Sequence, residues 1–129
     1  MFRYQSGITF LYYEDFDYGT MFMEKILKLD KVMDQGFARI YQINTNAFLG
    51  IVKTEEPRSS QVDTLVSLNT SSVEKEYQRI KNHDVLGLTD LKLISKIPLK
   101  SFFFNDLEGH RFEIQQFINK KDLNIFNIG

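Results

Sequence analysis

The chain has 129 residues, enough for one domain that buries a core without disulfide or metal; 43% hydrophobic and 26% charged residues is an ordinary soluble composition. A net charge of −1, with no basic run longer than Lys120-Lys121, speaks against nucleic acid and acidic membranes, and the lack of cysteine removes thiolate metal ligands and thiol nucleophiles. No apolar run reaches the roughly 18 residues of a membrane span and "MFRYQSGITF" has no signal-peptide core, so a cytoplasmic location is expected.

The β-branched and aromatic stretch "GITFLYY" (7–13) predicts a strand. Asp15 then caps a helix whose apolar face over 18–29 carries Tyr18, Met21, Phe22, Ile26 and Leu29, with Lys25 interrupting it. "GFARIYQI" (36–43) alternates as a strand, and "AFLGIV" (47–52) follows it across the turn "NTN". The polar "KTEEPRSSQ" holds one of two prolines and reads as a linker, about 54–62. "DTLVSLNT" (63–70) is again a strand. In the helix that follows, Ser71 and Glu74 have capping-box spacing, and Val73, Tyr77 and Ile80 fall on one face. Strands follow at 92–97, 100–104 and 111–117, the last two joined by "NDLEGH". The tail, 118–129, keeps Leu123, Ile125, Phe126 and Ile128, too apolar to stay free of its own domain or a partner.

The order strand, helix, strands thus occurs twice: module one about 1–53, module two about 63–117, within a single domain spanning 1–129. Matching helix starts, Phe16 and Val73, lie 57 residues apart; matching last-strand positions, Gly50 and Glu113, lie 63 apart. The second module carries the difference in a loop.

Three motifs resemble the vicinal oxygen chelate superfamily, the group of glyoxalase I, bleomycin-resistance proteins and extradiol dioxygenases. In "EDFDYGTMFMEKILKLD", Asp15, Phe22 and Leu27 match the first helix, with Met23 for Tyr and Lys28 for Gly. In "SSVEKEYQRIKNHDV", Val73, Tyr77, Arg79, Lys81 and Val85 are in register, with Asp84 for Gly. In "FFFNDLEGHRFEIQQF", Asp106, Gly109 and Glu113 match the ending, with Leu107 for Pro and His110 for Asn. The resemblance covers roughly 7–117. It implies an α+β fold of two βαβββ modules whose curved sheets surround a cavity, often as a homodimer.

It also implies up to four positions for one divalent metal, which here are Ile8, Gly50, Leu65 and Glu113. Only Glu113 can be a ligand, whereas a Zn, Ni, Mn or Fe site wants about three His, Cys or carboxylate donors. His83, at a helix end, complements the dipole, and His110 is expected to be an exposed turn residue. A stable metal cofactor is therefore not expected.

Alternation places Arg111, Glu113 and Gln115 on one face of the last strand and Phe112 and Ile114 on the other. Phe10, Tyr12, Phe48, Ser67 and Asn69 are expected beside the polar trio, lining a cavity for a small, partly apolar molecule. Glu113 is expected either to pair with Arg111 or Arg39, or to accept a hydrogen bond from the ligand. The alternatives are a metal-dependent lyase or isomerase of glyoxalase I type, with Glu113 as ligand and base, and a non-catalytic interaction subunit. No Gly-rich phosphate loop, Ser-His-Asp set or HExxH is present.

Overall fold

Each half of the chain completes a four-stranded sheet by laying its last strand parallel to its first. The computed structural model describes residues 2–56 and 64–126. Strands β1 (Gly7–Tyr13), β2 (Asp30–Asp34), β3 (Ala38–Asn44) and β4 (Ala47–Lys53) form one sheet in the order β1-β4-β3-β2. Strands β5 (Leu65–Asn69), β6 (Lys92–Ile94), β7 (Leu99–Asn105) and β8 (Arg111–Phe117) form a second in the order β5-β8-β7-β6. In both, the first-to-last pair is parallel and the others antiparallel. This is the α+β arrangement of two βαβββ modules expected from the sequence. The chain divides into two compact units, Met1–Ser59 and Ser60–Gly129, one per module. Residues 57–62 of the expected linker lie outside the described residues, as do Asp63 and Ile128.

In the first unit, Asp15 caps helix α1 (Phe16–Met21) as expected, accepting the Tyr18 N–H at 3.0 Å. The helix continues into a π-helical turn, Phe22–Ile26. Its buried residues are Gly19, Phe22, Met23, Ile26 and Leu27, while the expected Met21 is exposed. Gly19 lets α1 lie against Tyr13 of β1, since a Cβ there would sit 2.8 Å from the ring. Lys28 follows at φ 57°, the left-handed region, and the Leu29 N–H donates to the Met23 carbonyl at 2.9 Å. A side chain in that region costs energy that glycine avoids. Strand β2, the third that a βαβββ module requires, could not be located by periodicity because all five of its residues are exposed and no buried face imposes alternation.

In the second unit, α2 (Val73–Ile80) packs on β7 and β8. Val73 and Ile80 are fully buried, and Tyr77 meets Phe102 edge-on at 5.1 Å. Phe102, Phe104 and Phe112 stack in series beneath the helix, at 5.9 and 5.5 Å. The expected capping box does not form. Ser72 is the N-cap and makes no side-chain bond there; Gln116 of β8 accepts the Val73 N–H at 3.0 Å instead. Glu74 turns to Lys100 of β7 at 2.8 Å, because the sheet offers an opposite charge where the cap offers only an N–H. Lys100 holds the Glu74 carboxyl below its ordinary range, so this pair helps fully above that range and ceases to help as pH falls through the lowered value. The tail forms α3 (Lys120–Ile125), and Phe126 stacks on Phe117 at 4.8 Å, within its own unit.

Two substitutions test these readings. Lys28→Gly is expected to stabilise the protein by about 0.5–1 kcal/mol in urea unfolding, because relief at φ 57° exceeds the added entropy of the unfolded chain. Gln116→Ala is expected to cost about 1 kcal/mol in the same measurement, and Ser71→Ala nearly nothing.

Candidate ligand site on the second sheet

The buried Phe112 and Ile114 turn one face of β8 toward α2 and leave Arg111, Glu113 and Gln115 on the other, as alternation predicts. Parallel pairing sets Ser67 beside Glu113 and Asn69 beside Gln115. From the opposite side, antiparallel pairing brings Phe103 beside Glu113 and Ser101 beside Gln115. One row across the face therefore reads Ser67, Glu113, Phe103, and the next reads Asn69, Gln115, Ser101.

Ser67 Oγ donates to Glu113 Oε1 at 2.6 Å, and Gln115 Nε2 donates to Asn69 Oδ1 at 2.9 Å. The expected ion pair of Glu113 with Arg111 or Arg39 is not formed; the hydroxyl facing it from β5 takes that place. Arg111 lies on the Glu113 face one row away, opposite Leu65, and is exposed. The second oxygen of Glu113 has no hydrogen-bond partner among the described residues.

Arg39 corrects the expectation further. It pairs with the fully buried Ile51 on the helix side of the first sheet. There its Nη1 donates to Thr20 Oγ1 at 2.8 Å, its Nε lies 3.2 Å from Asp34 Oδ2, and its guanidinium sits 4.9 Å from the Phe16 ring. Arg39 ties α1 to its sheet and does not share a face with Phe10 and Phe48.

Phe10, Tyr12 and Phe48 lie on the opposite, helix-free face of the first sheet, where Phe10 and Tyr12 are each 42% exposed. The Phe10 ring covers Gly50, its register partner, so closely that a Cβ on Gly50 would lie 2.5 Å from it. The duplication makes Phe10 the counterpart of Ser67 and Gly50 the counterpart of Glu113, and both couples are register partners. One address in the backbone thus holds a ring on bare glycine in the first unit and a hydroxyl on a carboxylate in the second.

Beside Phe103, a cleft of about 140 Å³ is lined by Thr89, Asp90, Lys92, Ile94, Ser101 and Phe103. Thr89 fixes its wall, donating its N–H to the Phe103 carbonyl and accepting the Phe103 N–H on Oγ1 at 2.9 Å. Sequence reasoning missed this cleft because Thr89 and Asp90 come from a loop without periodicity. A larger depression of about 490 Å³, at the start of α2 and the end of β8, includes none of Ser67, Glu113 and Phe103.

His110 is also corrected. It is buried, with Nδ1 2.8 Å from Asp106 Oδ2, while Asp106 Oδ1 accepts the N–H groups of Glu108 and His110. The turn folds inward because one carboxylate serves both its backbone and its imidazole.

No protein-family model matches the sequence, and no curated protein is significantly similar to it. Solved structures are similar in fold. The fosfomycin resistance protein FosX of Listeria monocytogenes, crystallised with Mn(II) and sulfate, gives a TM-score of 0.72 at 16% identity, covering 98% of this chain and 99% of that one. FosX of Mesorhizobium loti gives 0.70 at 15%, covering 95% and 99%. A protein of unknown function from Agrobacterium tumefaciens gives 0.71 at 19%, covering 92% and 96%. The chain has the vicinal oxygen chelate fold.

The donor set does not fit the metal of that fold. Ile8, Gly50 and Leu65 have no side-chain donor atom, and no group of three or more His, Asp or Glu among the described residues is placed to hold an ion. Of the four positions that the resemblance implies, only Glu113 carries a donor atom.

The Phe10–Gly50 contact is testable by a double-mutant cycle. Gly50→Ala is expected to cost about 1–2 kcal/mol in chemical unfolding, and markedly less in a Phe10→Ala background where no ring must move. Equal costs in both backgrounds would rule the contact out.

Proposed function

We propose that the protein binds a small, partly apolar molecule on the face of the second sheet turned away from α2, without a resident metal. The observation that carries this is the Ser67–Glu113 hydrogen bond, which orients the carboxylate and leaves its second oxygen to accept an N–H or O–H from a ligand. Glu113 is the acceptor, Ser67 positions it, and Asn69 and Gln115 offer further polar contacts one row on. Phe103 and its cleft supply the apolar wall, and Arg111 borders the site. Phe10, Tyr12 and Phe48 offer a separate, half-exposed apolar surface on the first sheet. The superfamily resemblance supports a homodimer, and a cysteine-free chain suits the cytoplasm.

A second reading, a metal-dependent lyase or isomerase using Glu113, draws support from the Mn(II) present in the Listeria FosX structure. It is the weaker reading because three of the four ligand positions lack donors.

A thermal-shift screen with small molecules, followed by calorimetry, tests the proposal. Hits are expected to bind wild type and to lose about tenfold or more affinity in Glu113→Gln. Titration with Mn²⁺, Ni²⁺, Zn²⁺ and anaerobic Fe²⁺ is expected to give no stoichiometric binding. Micromolar metal binding abolished by Glu113→Gln would replace the proposal with the metal reading.

A further inference from the structure

We infer that the ligand recognised at Glu113 is an organic cation: a protonated amine on a small apolar body. This rests on the reading above and narrows it. The decisive feature is where the protons are. Ser67 spends its only hydroxyl proton on Glu113 Oε1, so what the pair offers a ligand is lone pairs, on Glu113 Oε2 and on Ser67 Oγ. Gln115, donating to Asn69 through its nitrogen, turns its carbonyl oxygen into a third acceptor in the next row. An ammonium has three protons to give and none to receive. A hydroxyl has one, and a carboxylate has none and would meet the charge of Glu113.

Charge points the same way. Asp34, Glu74 and Glu76 each face a Lys or Arg, whereas no basic side chain among the described residues pairs with Glu113. Its charge is therefore held in place by a neutral hydroxyl and left for a cation from outside. The Phe103 ring, on the residue paired with Glu113, adds a face that attracts cations. The flanking charges are Arg111 on the same strand and Asp90 and Lys92 at the cleft; they sum to +1, so the preference rests on direct contact with Glu113 and not on the surrounding field. Size follows from the cleft. The cleft is lined by Phe103 and Ser101 but by neither Glu113 nor Ser67, and its roughly 140 Å³ is well below the roughly 300 Å³ at which drug-sized pockets begin, so a ligand that reaches into it from Glu113 carries only a short alkyl chain or a single ring.

Calorimetry of the full chain with three probes of one shape, benzylamine, benzyl alcohol and benzoate, tests the inference. Benzylamine is expected to bind at least tenfold more tightly than benzyl alcohol, benzoate not to bind, and added salt to weaken only the amine. Glu113→Gln, whose folding is checked by thermal unfolding, is expected to erase the preference; Ser67→Ala is expected to reduce it. If the alcohol binds as tightly as the amine and still needs Glu113, the cation inference falls and the small-molecule reading stands. If the amine preference survives Glu113→Gln, the inference falls as well. If no probe binds at millimolar concentration, the inference falls, and the wider reading falls with it only when the library screen gives no Glu113-dependent hit.

Discussion

The parallel pairing of the first strand of each module with its last is the constraint on which the rest of the structure depends. Parallel neighbours cannot be joined by a tight turn, so a helix and two antiparallel strands must lie between them. In return, residues 46 apart in sequence, Ser67 and Glu113, become side-by-side partners on one face. The helix covers the other face of each sheet, which is why the buried aromatics, Tyr13 and Tyr41 in one unit and Phe102, Phe104 and Phe112 in the other, all lie there. A polar group on the face of β8 turned away from α2 is thus held by sheet hydrogen bonds on both sides.

The two modules share this scaffold and differ in what occupies it. Glycine at position 50 lets the Phe10 ring lie flat on the strand and shields backbone that would otherwise be bare. At the equivalent place in the other unit a hydroxyl donates to one oxygen of a carboxylate and leaves the other open. Of the four metal positions that the resemblance implies, isoleucine, glycine and leucine fill three. The fold does not by itself bring a donor set, and the function must be argued from Glu113 and its neighbours.

Much of this was legible in the sequence. The two modules, the Asp15 cap, the buried side of α2 and the polar side of β8 follow from periodicity, because a half-buried element repeats its apolar residues at a fixed interval. What periodicity cannot supply is which partner a polar group finds. Arg39 alternates as a strand residue should, but Thr20, Asp34 and Phe16, which hold it on the helix side, come from other elements. His110 read as a surface turn residue because nothing local reveals that Asp106 would bind both its ring and its backbone. Ser71 and Glu74 had the spacing of a capping box, and longer-range partners, Gln116 and Lys100, won. The π-helical turn left no mark beyond the shift of the buried face from Met21 to Met23.

The same parallel pairing orders events during synthesis. The chain leaves the ribosome from its N-terminus, so β5 and α2 exist well before β8, and β5, whose one partner in its sheet is β8, waits with neither side paired in that sheet. Closing so long a loop is entropically costly and makes such pairing slow. Glu113 and the strand that steadies it arrive together and late. A chain cut short or stalled before residue 111 would have most of the second unit's core sequence and no carboxylate to offer, and its exposed β5 edge would be a natural point for chaperones to grip.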